Sequence, residues 1–457
     1  MERLEFAIKN EDGRMRGLLS LAVLMVALLG LGAYIRFFQP RDAPASGEPR
    51  PKAFAFSKDA IDQIVIRPLG NEASTVTKVD GRWQLTSPVT APADETLMTR
   101  IATLTSELEI ARVVDENATD LRQYGLAPAQ VDVTIKTSGA AGTQHLLLGE
   151  KGSIGDTVYA QLSAGPRVIL VSSDIADTLN KSTFELRDKA VLKFDREKVD
   201  GLEIETAGHS IQLKRQDLEW EVLKPLHTHA DPGVVSGLLT TLTSLQMASI
   251  VASQGADSAS YRLDNPVSTV SVVTGSSKET LQVGANVDQS HTYARNPAMP
   301  IVFTIPTSIA DTLKEGPVHY RRKDVFEFQT IDATRLEVVR DGLTTIYEKA
   351  TAPGADGNWH ELSPNARIVE PKKMENALSK LSYLRALTFV PQQAGLAGGS
   401  GVMSVLVKYD EGKKSETVRL ARIGAEPFAA RADWPDAARL DANAYALLVA
   451  SLDDLRQ

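Results

Sequence analysis

Three short segments share one alternation of apolar and polar positions: "IDQIVI" from Ile61, "VDGLEI" from Val199 and "ATRLEV" from Ala333. An apolar side chain at every second position predicts a strand with one buried face. The openings lie 138 and 134 residues apart, about one domain each. Downstream of each, the apolar period changes from two to three or four. The positions are Leu97, Ile101, Leu104 and Leu108, then Val234, Leu238, Leu242 and Leu245, then Met374, Leu378, Leu381 and Leu384. Each set makes a single stripe along a helix. The pattern therefore predicts three copies of a unit in which strands lead into an amphipathic helix.

The stretch between strand and helix repeats to the residue. Trp83, Trp220 and Trp359 are followed five positions later by Pro88, Pro225 and Pro364, and six positions after that by Asp94, Asp231 and Glu370. Pro232 and Pro371 come next in the second and third copies, as expected where an acid caps a helix and proline takes its first position. A capping carboxylate satisfies backbone N–H groups that the first turn leaves free, so all three acids read as helix caps. The second halves match as well. "YGLAPAQVDVTI" from Tyr124 corresponds to "YRLDNPVSTVSVV" from Tyr261 and more faintly to "GLAGGSGVMSVLV" from Gly395, and "DIADTLN" from Asp174 corresponds to "SIADTLK" from Ser308. Helices interleave irregularly with hairpin-like strands. This predicts α+β modules with a mainly antiparallel sheet rather than a doubly wound parallel one.

Ahead of the first copy, residues 17–35 form nineteen consecutive uncharged positions, "GLLSLAVLMVALLGLGAYI". As a helix the run reaches ~28 Å, enough for the hydrocarbon core of a bilayer. Its length and the poor Ala-x-Ala site at Ala43–Ala45 favour an uncleaved signal anchor over a cleaved signal peptide. Basic residues flank the run on both sides (Arg14 and Arg16, Arg36 and Arg41), so flanking charge alone leaves the orientation open. Met15 offers an alternative start. The predicted fold class is thus α+β, an N-terminal transmembrane helix followed by three tandem repeats of one α+β module. The expected layout is a cytoplasmic N-terminus at 1–16, a signal anchor at 17–38, a Pro-rich linker at 39–56, and modules at 57–195, 196–329 and 330–457. The linker carries Pro40, Pro44, Pro49 and Pro51 and reads as an extended tether.

Composition narrows the chemistry. A formal net charge of -8 argues against nucleic acid as a partner. With no cysteine in the chain, thiol nucleophiles and Cys-bound zinc are excluded. The best chemical candidate is "WEVLKPLHTHAD", in which His227 and His229 are one residue apart and Asp231 follows. His-x-His on a strand puts both rings on one face. The other copies hold Thr90 and Pro92, or Ala366 and Ile368, at the matching positions, and no third ligand is apparent, so solvated loop histidines are the expectation and a metal site the rival. "LGEKGSIGD" (Leu148 to Asp156) lacks the Gly-Lys-Ser/Thr ending of a phosphate loop and reads as a hairpin turn. "ELRDKAVLKF" from Glu185 and "HYRRKDVFEF" from His319 read as inter-module strands whose apolar residues dock neighbouring modules. A basic patch for lipid headgroups or an acidic partner is the alternative. No Ser-His-Asp or paired-carboxylate arrangement has usable spacing, and no cofactor is expected.

The anchor, the repeated Trp-x4-Pro-x5-acid helices, "YGL" at Tyr124, "LLLGEKG…VYAQL" and "ELRDKAVLKF" together resemble a bacterial family known as a domain of unknown function. The resemblance spans residues 55–457. It implies an anchored envelope protein encoded beside an ABC transporter of the gliding-motility type, and so a permease and its auxiliary protein as partners. It supplies no catalytic residues. The expectation is a non-enzymatic accessory or scaffold protein, single-pass in the bacterial inner membrane with its body in the periplasm. An envelope lipid or glycan carrier, and a metal-dependent enzyme using His227 and His229, stand as alternatives.

Overall fold

The computed structural model describes residues 50–457 apart from 139–141, 154, 163–164, 218, 254–258, 351–356 and 392–398. Two compact units, Met1–Arg187 and Asp188–Gln457, divide the chain. The first contains β1 (Ile61–Pro68), β2 (Ser74–Val79), β3 (Arg82–Ser87), β4 (Ala91–Pro92), α1 (Glu95–Ser106), β5 (Arg112–Asp115), β6 (Val131–Thr137), β7 (Thr143–Lys151), β8 (Thr157–Leu162), β9 (Val168–Ser172), α2 (Asp174–Leu179) and α3 (Thr183–Leu186). The nine strands form one sheet in the order β4-β3-β2-β1-β6-β7-β8-β9-β5. Two antiparallel meanders meet at β1 and β6, and α1 connects strands at the sheet's two opposite edges.

The second unit repeats this topology twice. Its first sheet holds β10 (Gly201–Thr206), β11 (Ser210–Gln216), β12 (Glu219–Lys224), β13 (Thr228–His229), β14 (Ser249–Ser253), β15 (Ser268–Thr274), β16 (Ser277–Asn286), β17 (His291–Arg295) and β18 (Ile301–Pro306), with helices α4 (Pro232–Ser244), α5 (Thr307–Leu313) and α6 (Pro317–Tyr320). Its second sheet holds β19 (Ala333–Arg340), β20 (Leu343–Lys349), β21 (Trp359–Ser363), β22 (Arg367–Val369), β23 (Ala386–Pro391), β24 (Ser400–Tyr409), β25 (Lys414–Ile423), β26 (Glu426–Arg431) and β27 (Asp436–Leu440), with α7 (Pro371–Ser382) and α8 (Ala442–Asp454). Strand order is the same in all three sheets.

Local chemistry accounts for the elements. On β1, Ile64 and Ile66 are buried while Asp62 and Arg67 face solvent, the alternation of a half-covered sheet. Asp80 and Gly81 take φ of 49° and 79° and turn β2 into β3, as a two-residue hairpin with both central φ positive requires. Met98, Ile101 and Ala102 of α1 are buried in the core of the first sheet. Val235, Leu238, Leu239 and Leu242 of α4, and Met374, Ala377, Leu378 and Leu381 of α7, are buried at corresponding places. The helical stripes therefore lie where the periodicity puts them, with Met98 and Val235 buried deeper than the expected Leu97 and Val234.

The three repeats stand, but the expected fold class does not. The architecture is three nine-stranded antiparallel sheets with a few short helices. Strands dominate because each copy devotes nine of them to its sheet and one helix of 12 or 13 residues to the connection between its edges. Among the described residues no helix is long and apolar enough to cross a membrane. Residues 17–38, where the apolar run predicts a spanning helix, lie outside the described residues.

The peptide ahead of each first strand closes the sheet module that follows it. Ala53, Val191 and Val325 donate their backbone N–H to the carbonyls of Leu108, Leu245 and Leu384, at 2.7, 3.1 and 2.9 Å. In return Ile110, Met247 and Ala386 donate to Pro51, Lys189 and Lys323 at 2.9, 2.8 and 2.7 Å. Phe54 belongs to the core of the first module, and Val325, Phe326 and Phe328 to that of the third. The apolar residues read as docking neighbouring modules are thus core residues of the module they precede.

One glycine pair shows how the second halves are built. A Cβ on Gly149 would lie 2.1 Å from the carbonyl oxygen of Tyr124, and one on Gly284 2.1 Å from that of Tyr261. The turns containing these tyrosines press onto the strand there, and their rings pack on Tyr159 and Tyr293, centroids 5.1 and 4.8 Å apart. Gly149 and Gly284 follow Leu148 and Val283, which pair with Ala160 and Ala294. The matching Leu420 pairs with Ala429 and is followed by Ala421, in the copy whose sequence lacks the tyrosine. Gly149→Ala and Gly284→Ala should each destabilise the protein by about 2 kcal/mol, because a backbone carbonyl must move, whereas Ala421→Gly should cost under about 1 kcal/mol. Denaturant-induced unfolding of the three variants checks this ordering.

Candidate functional site

The repeat positions fall on equivalent elements. Trp83, Trp220 and Trp359 lie on β3, β12 and β21, the third strand of each sheet. Trp83 and Trp359 are buried and Trp220 is half-buried. Pro88, Pro225 and Pro364 each follow a cis peptide bond just beyond those strands. Asp94 and Asp231 cap their helices: Asp94 Oδ1 accepts from Leu97 N at 2.9 Å, and Asp231 Oδ1 from Gly233 N and Val234 N at 2.9 and 3.2 Å. Glu370 occupies the same N-terminal position without a side-chain cap bond. Its extra methylene moves the carboxylate away from the close approach an aspartate makes.

His227 and His229 do not converge on a common point. His227 Nε2 lies 2.8 Å from Glu221 Oε2 and its side chain is 68% exposed. His229 Nδ1 is 3.5 Å from Glu219 Oε2. Each imidazole thus faces its own carboxylate from β12. Among the described residues no group of three or more His, Asp or Glu side chains is placed to hold a metal ion. The backbone of this stretch has a clearer part: the His229 carbonyl accepts from Arg322 N at 2.9 Å, Ala230 bridges Arg321, and Asp231 N donates to the Tyr320 carbonyl at 2.8 Å. The His-x-His segment is therefore a seam onto the peptide that leaves the second module for the third.

That peptide carries the charges the sequence shows as basic, and they turn inward. Arg321 is 5% exposed. Its Nη1 donates to Asp436 Oδ2 at 2.7 Å, and its guanidinium lies 3.7 Å from the centroid of the Phe389 ring. Arg322 Nη1 donates to Glu327 Oε2 at 2.9 Å. Beside them, Arg431 grips Asp433 through Nε and Nη2 at 3.0 and 2.9 Å, while its Nη1 approaches Glu327 and Glu416 at 3.5 and 3.7 Å. Glu416 also accepts from Glu327 N at 2.8 Å and from the Tyr409 hydroxyl at 2.6 Å. Closer to the surface, Arg385 spans Asp231 and Asp324 at 3.1 and 3.2 Å.

Burial shapes the titration of these groups. It would raise the Asp433 carboxyl, but the hydrogen-bonded Arg431 guanidinium outweighs it and holds the group below the usual aspartate range. Burial, then the charge of Glu315, pushes the Tyr320 hydroxyl up to about 12. The Tyr409 hydroxyl is raised by burial first and by its bond to Glu416 second. Around neutrality Asp433 is therefore ionised beside Arg431, and the two hydroxyls stay protonated. Two open depressions are present among the described residues. One, of about 590 Å³, is lined by Thr334, Arg335, Glu348, Lys349, Lys408, Glu411 and Gly412. The other, of about 370 Å³, lies in the first module between Leu104, Leu108, Ile175 and the carboxylates of Glu107, Glu109, Asp156 and Asp174. In the larger one Arg335 is already held by Glu337 and Glu348, each at 2.6 Å.

Sequence reasoning missed the acids opposite these arginines. Arg321 and Arg322 were visible as a basic pair, and "RADWPDAARL" around Asp433 and Asp436 held the complementary charges, but more than 100 residues separate Arg321 from Asp436.

Geometry and topology define a tandem-repeat β protein with buried ion pairs beside a module junction. The chain belongs to the family described as a domain of unknown function, DUF4340, whose model matches residues 83–224 and 220–398. The two matches begin at Trp83 and Trp220, on the third strand of the first and second sheets, and each extends into the module that follows. No curated protein matches the sequence. Among solved structures, the DNA polymerase sliding clamp from Pseudomonas aeruginosa is similar at 9% identity, covering 84% of this chain and 91% of that one, with a TM-score of 0.18. The same clamp with ligand gives 9%, 84%, 92% and 0.17. A putative DNA polymerase III beta subunit from Eubacterium rectale gives 9%, 85%, 93% and 0.15. Likeness at that level carries no argument about fold or function.

Arg321→Ala should destabilise the protein by about 3 kcal/mol by leaving Asp436 without its partner, and Arg321→Met by less because the stem still covers Phe389. Chemical denaturation of both variants checks this. His227→Ala and His229→Ala should each change stability by under about 1 kcal/mol and leave the metal content of the purified protein unchanged. Elemental analysis showing a stoichiometric metal lost in either variant would revive a metal-site reading.

Proposed function

We propose that this protein is a non-enzymatic accessory or scaffold protein of the bacterial cell envelope, held at the inner membrane with its modules in the periplasm. Its partners in this reading are the permease and auxiliary protein of an ABC transporter of the gliding-motility type. The observation that carries the scaffold part is the use of charge. The arginines of the basic segment are engaged in ion pairs beside a module junction: the peptide carrying them pairs with the cap region of the second module, Arg321 reaches Asp436 of the third, and Arg322 is held by Glu327. Three copies of one sheet, with side chains differing from copy to copy on a common backbone plan, suit recognition better than turnover. The transporter association is supported by the sequence resemblance, and the location by the uncharged run at 17–35. A lipid or glycan carrier would need an apolar groove, whereas the larger of the two depressions is lined mainly by charged side chains.

Attachment beside an integral partner raises effective concentration, so modest affinity suffices. Cross-linking in the native envelope with the full-length chain should therefore recover transporter components, and a form lacking residues 1–38 should recover them about tenfold less. Equal recovery by both forms, or no transporter component with either, overturns the proposal.

A further inference from the structure

In the first two modules the departing chain covers the edge beside the helix cap, next to β4 or β13. Asp94 N donates to the Leu186 carbonyl at 2.9 Å, Asp231 N to the Tyr320 carbonyl at 2.8 Å, and Arg322 N to the His229 carbonyl at 2.9 Å. Ala93 bridges Arg187 as Ala230 bridges Arg321. In the third module Ile368 stands at the place of His229, and Glu370 at that of Asp94 and Asp231. There β22 pairs with β21 alone, and Glu370 N finds no acceptor, among the described residues. The residues matching the departing peptide, Leu455, Arg456 and Gln457, do not extend. Arg456 N and Gln457 N donate to the Asp453 and Asp454 carbonyls at 3.1 and 3.3 Å, continuing the turn of α8, and Arg367 Nη2 holds the Leu455 carbonyl at 2.6 Å. Leu455 is buried as Leu186 and Tyr320 are, so the module supplies its own apolar anchor and only the main-chain edge stays open. Ile368 is 61% exposed on that edge, and Glu370 is exposed where Asp94 and Asp231 are half-buried.

We infer that this edge takes the leading peptide of a second copy of the chain, around Arg50. The two covered edges show what fits: the upstream half of a leading peptide, whose downstream half plugs into a module. Ala53, Val191 and Val325 make the same bond in their modules. Counting back from them sets Arg50 at the place of Asp188 and Arg322, and Pro49 at the place of Arg187 and Arg321. Arg50 is exposed, and its main chain has no partner among the described residues. Proline suits position 49, because the matching Arg321 N makes no main-chain bond, while Arg50 N can donate to the Ile368 carbonyl as Arg322 N does to that of His229. The Glu370 carboxylate makes no cap bond and is left to meet the Arg50 guanidinium. One chain thus carries both an open edge and the peptide half that fits it, and such a pair joins copies head to tail by strand addition.

The contact is small, so it rests on the anchored reading for the concentration that makes it effective. The test uses the full-length chain in its native membrane. The chain has no cysteine, so one tagged copy carries R50C and a differently tagged copy I368C, at a place where Pro92 and His229 show that the fold accepts replacement. Oxidation should link the two tags at about ten times the yield of R50C with H229C, whose edge is covered by its own chain. E370P in the I368C copy should lower the link about fivefold by removing one main-chain donor. That variant should unfold at an unchanged denaturant concentration, since Glu370 already has a φ of -59° and makes no cap bond. Equal yields with H229C, or no effect of E370P, would overturn the inference. So would a closed monomer, in place of dimers and longer multiples, when both cysteines are on one chain. A form lacking residues 1–38 should link about tenfold less. A full link without them would support the edge and count against the anchored reading, whereas loss of the link alongside recovery of transporter components would do the reverse.

Discussion

Each module depends on a peptide that arrives before its first strand. The first strand, β1, β10 or β19, lies near the middle of its sheet, so the chain must reach the centre before either meander can form. The preceding residues pair instead with the segment just beyond the long helix, Ala53 with Leu108, Val191 with Leu245 and Val325 with Leu384. That pairing ties the beginning of a module to the point where its helix ends. It also buries Phe54, Leu192 and Phe326 at matching places, adding apolar burial to the hydrogen bonds. Helix, edge strand and central strand are fixed relative to one another by one short seam.

In the second unit the same peptide has a second task. Before it plugs into the third module, residues 320–322 pair with the strand and cap region around His229 and Asp231. The peptide thus belongs to both modules, and the arginines within it find carboxylates that the third module supplies. Desolvating such charges is expensive unless they are well paired. Arg431 with Asp433, Glu327 and Glu416 meets that condition, while Arg321 is paired with Asp436 through Nη1 and leaves its buried Nε without a partner. Removing one partner leaves the other stranded in a site that little water reaches.

The three copies also separate what the fold requires from what it tolerates. Positions 296 and 431 are equivalent and face the leading peptide of their modules, yet one is Asn296 and the other Arg431. Asn296 reaches the Val191 carbonyl at 2.9 Å, and Arg431 the Val325 carbonyl at 3.4 Å. The contact can be polar or ionic, and in the third module Arg431 also engages Asp433, Glu327 and Glu416.

The sequence by itself determined the local structure and its repetition. Strand alternation from Ile61, Val199 and Ala333, the helical stripes, and the Trp, Pro and acid spacing depend on neighbours a few residues away. They were legible as three equivalent units with Asp94 and Asp231 as caps. It also showed that His227 and His229 are replaceable in that backbone, because the other copies lack them. What it could not decide was which strands would be adjacent, since an alternating pattern names a buried face but not a partner. The dominance of nine-stranded sheets over helix, the inward turn of Arg321 and Arg322, and the pairing of Arg431 all came from side chains brought together across long separations. Charge in a sequence looks solvated by default, and only the tertiary structure, by bringing Asp436 within 2.7 Å of Arg321, made it part of the core.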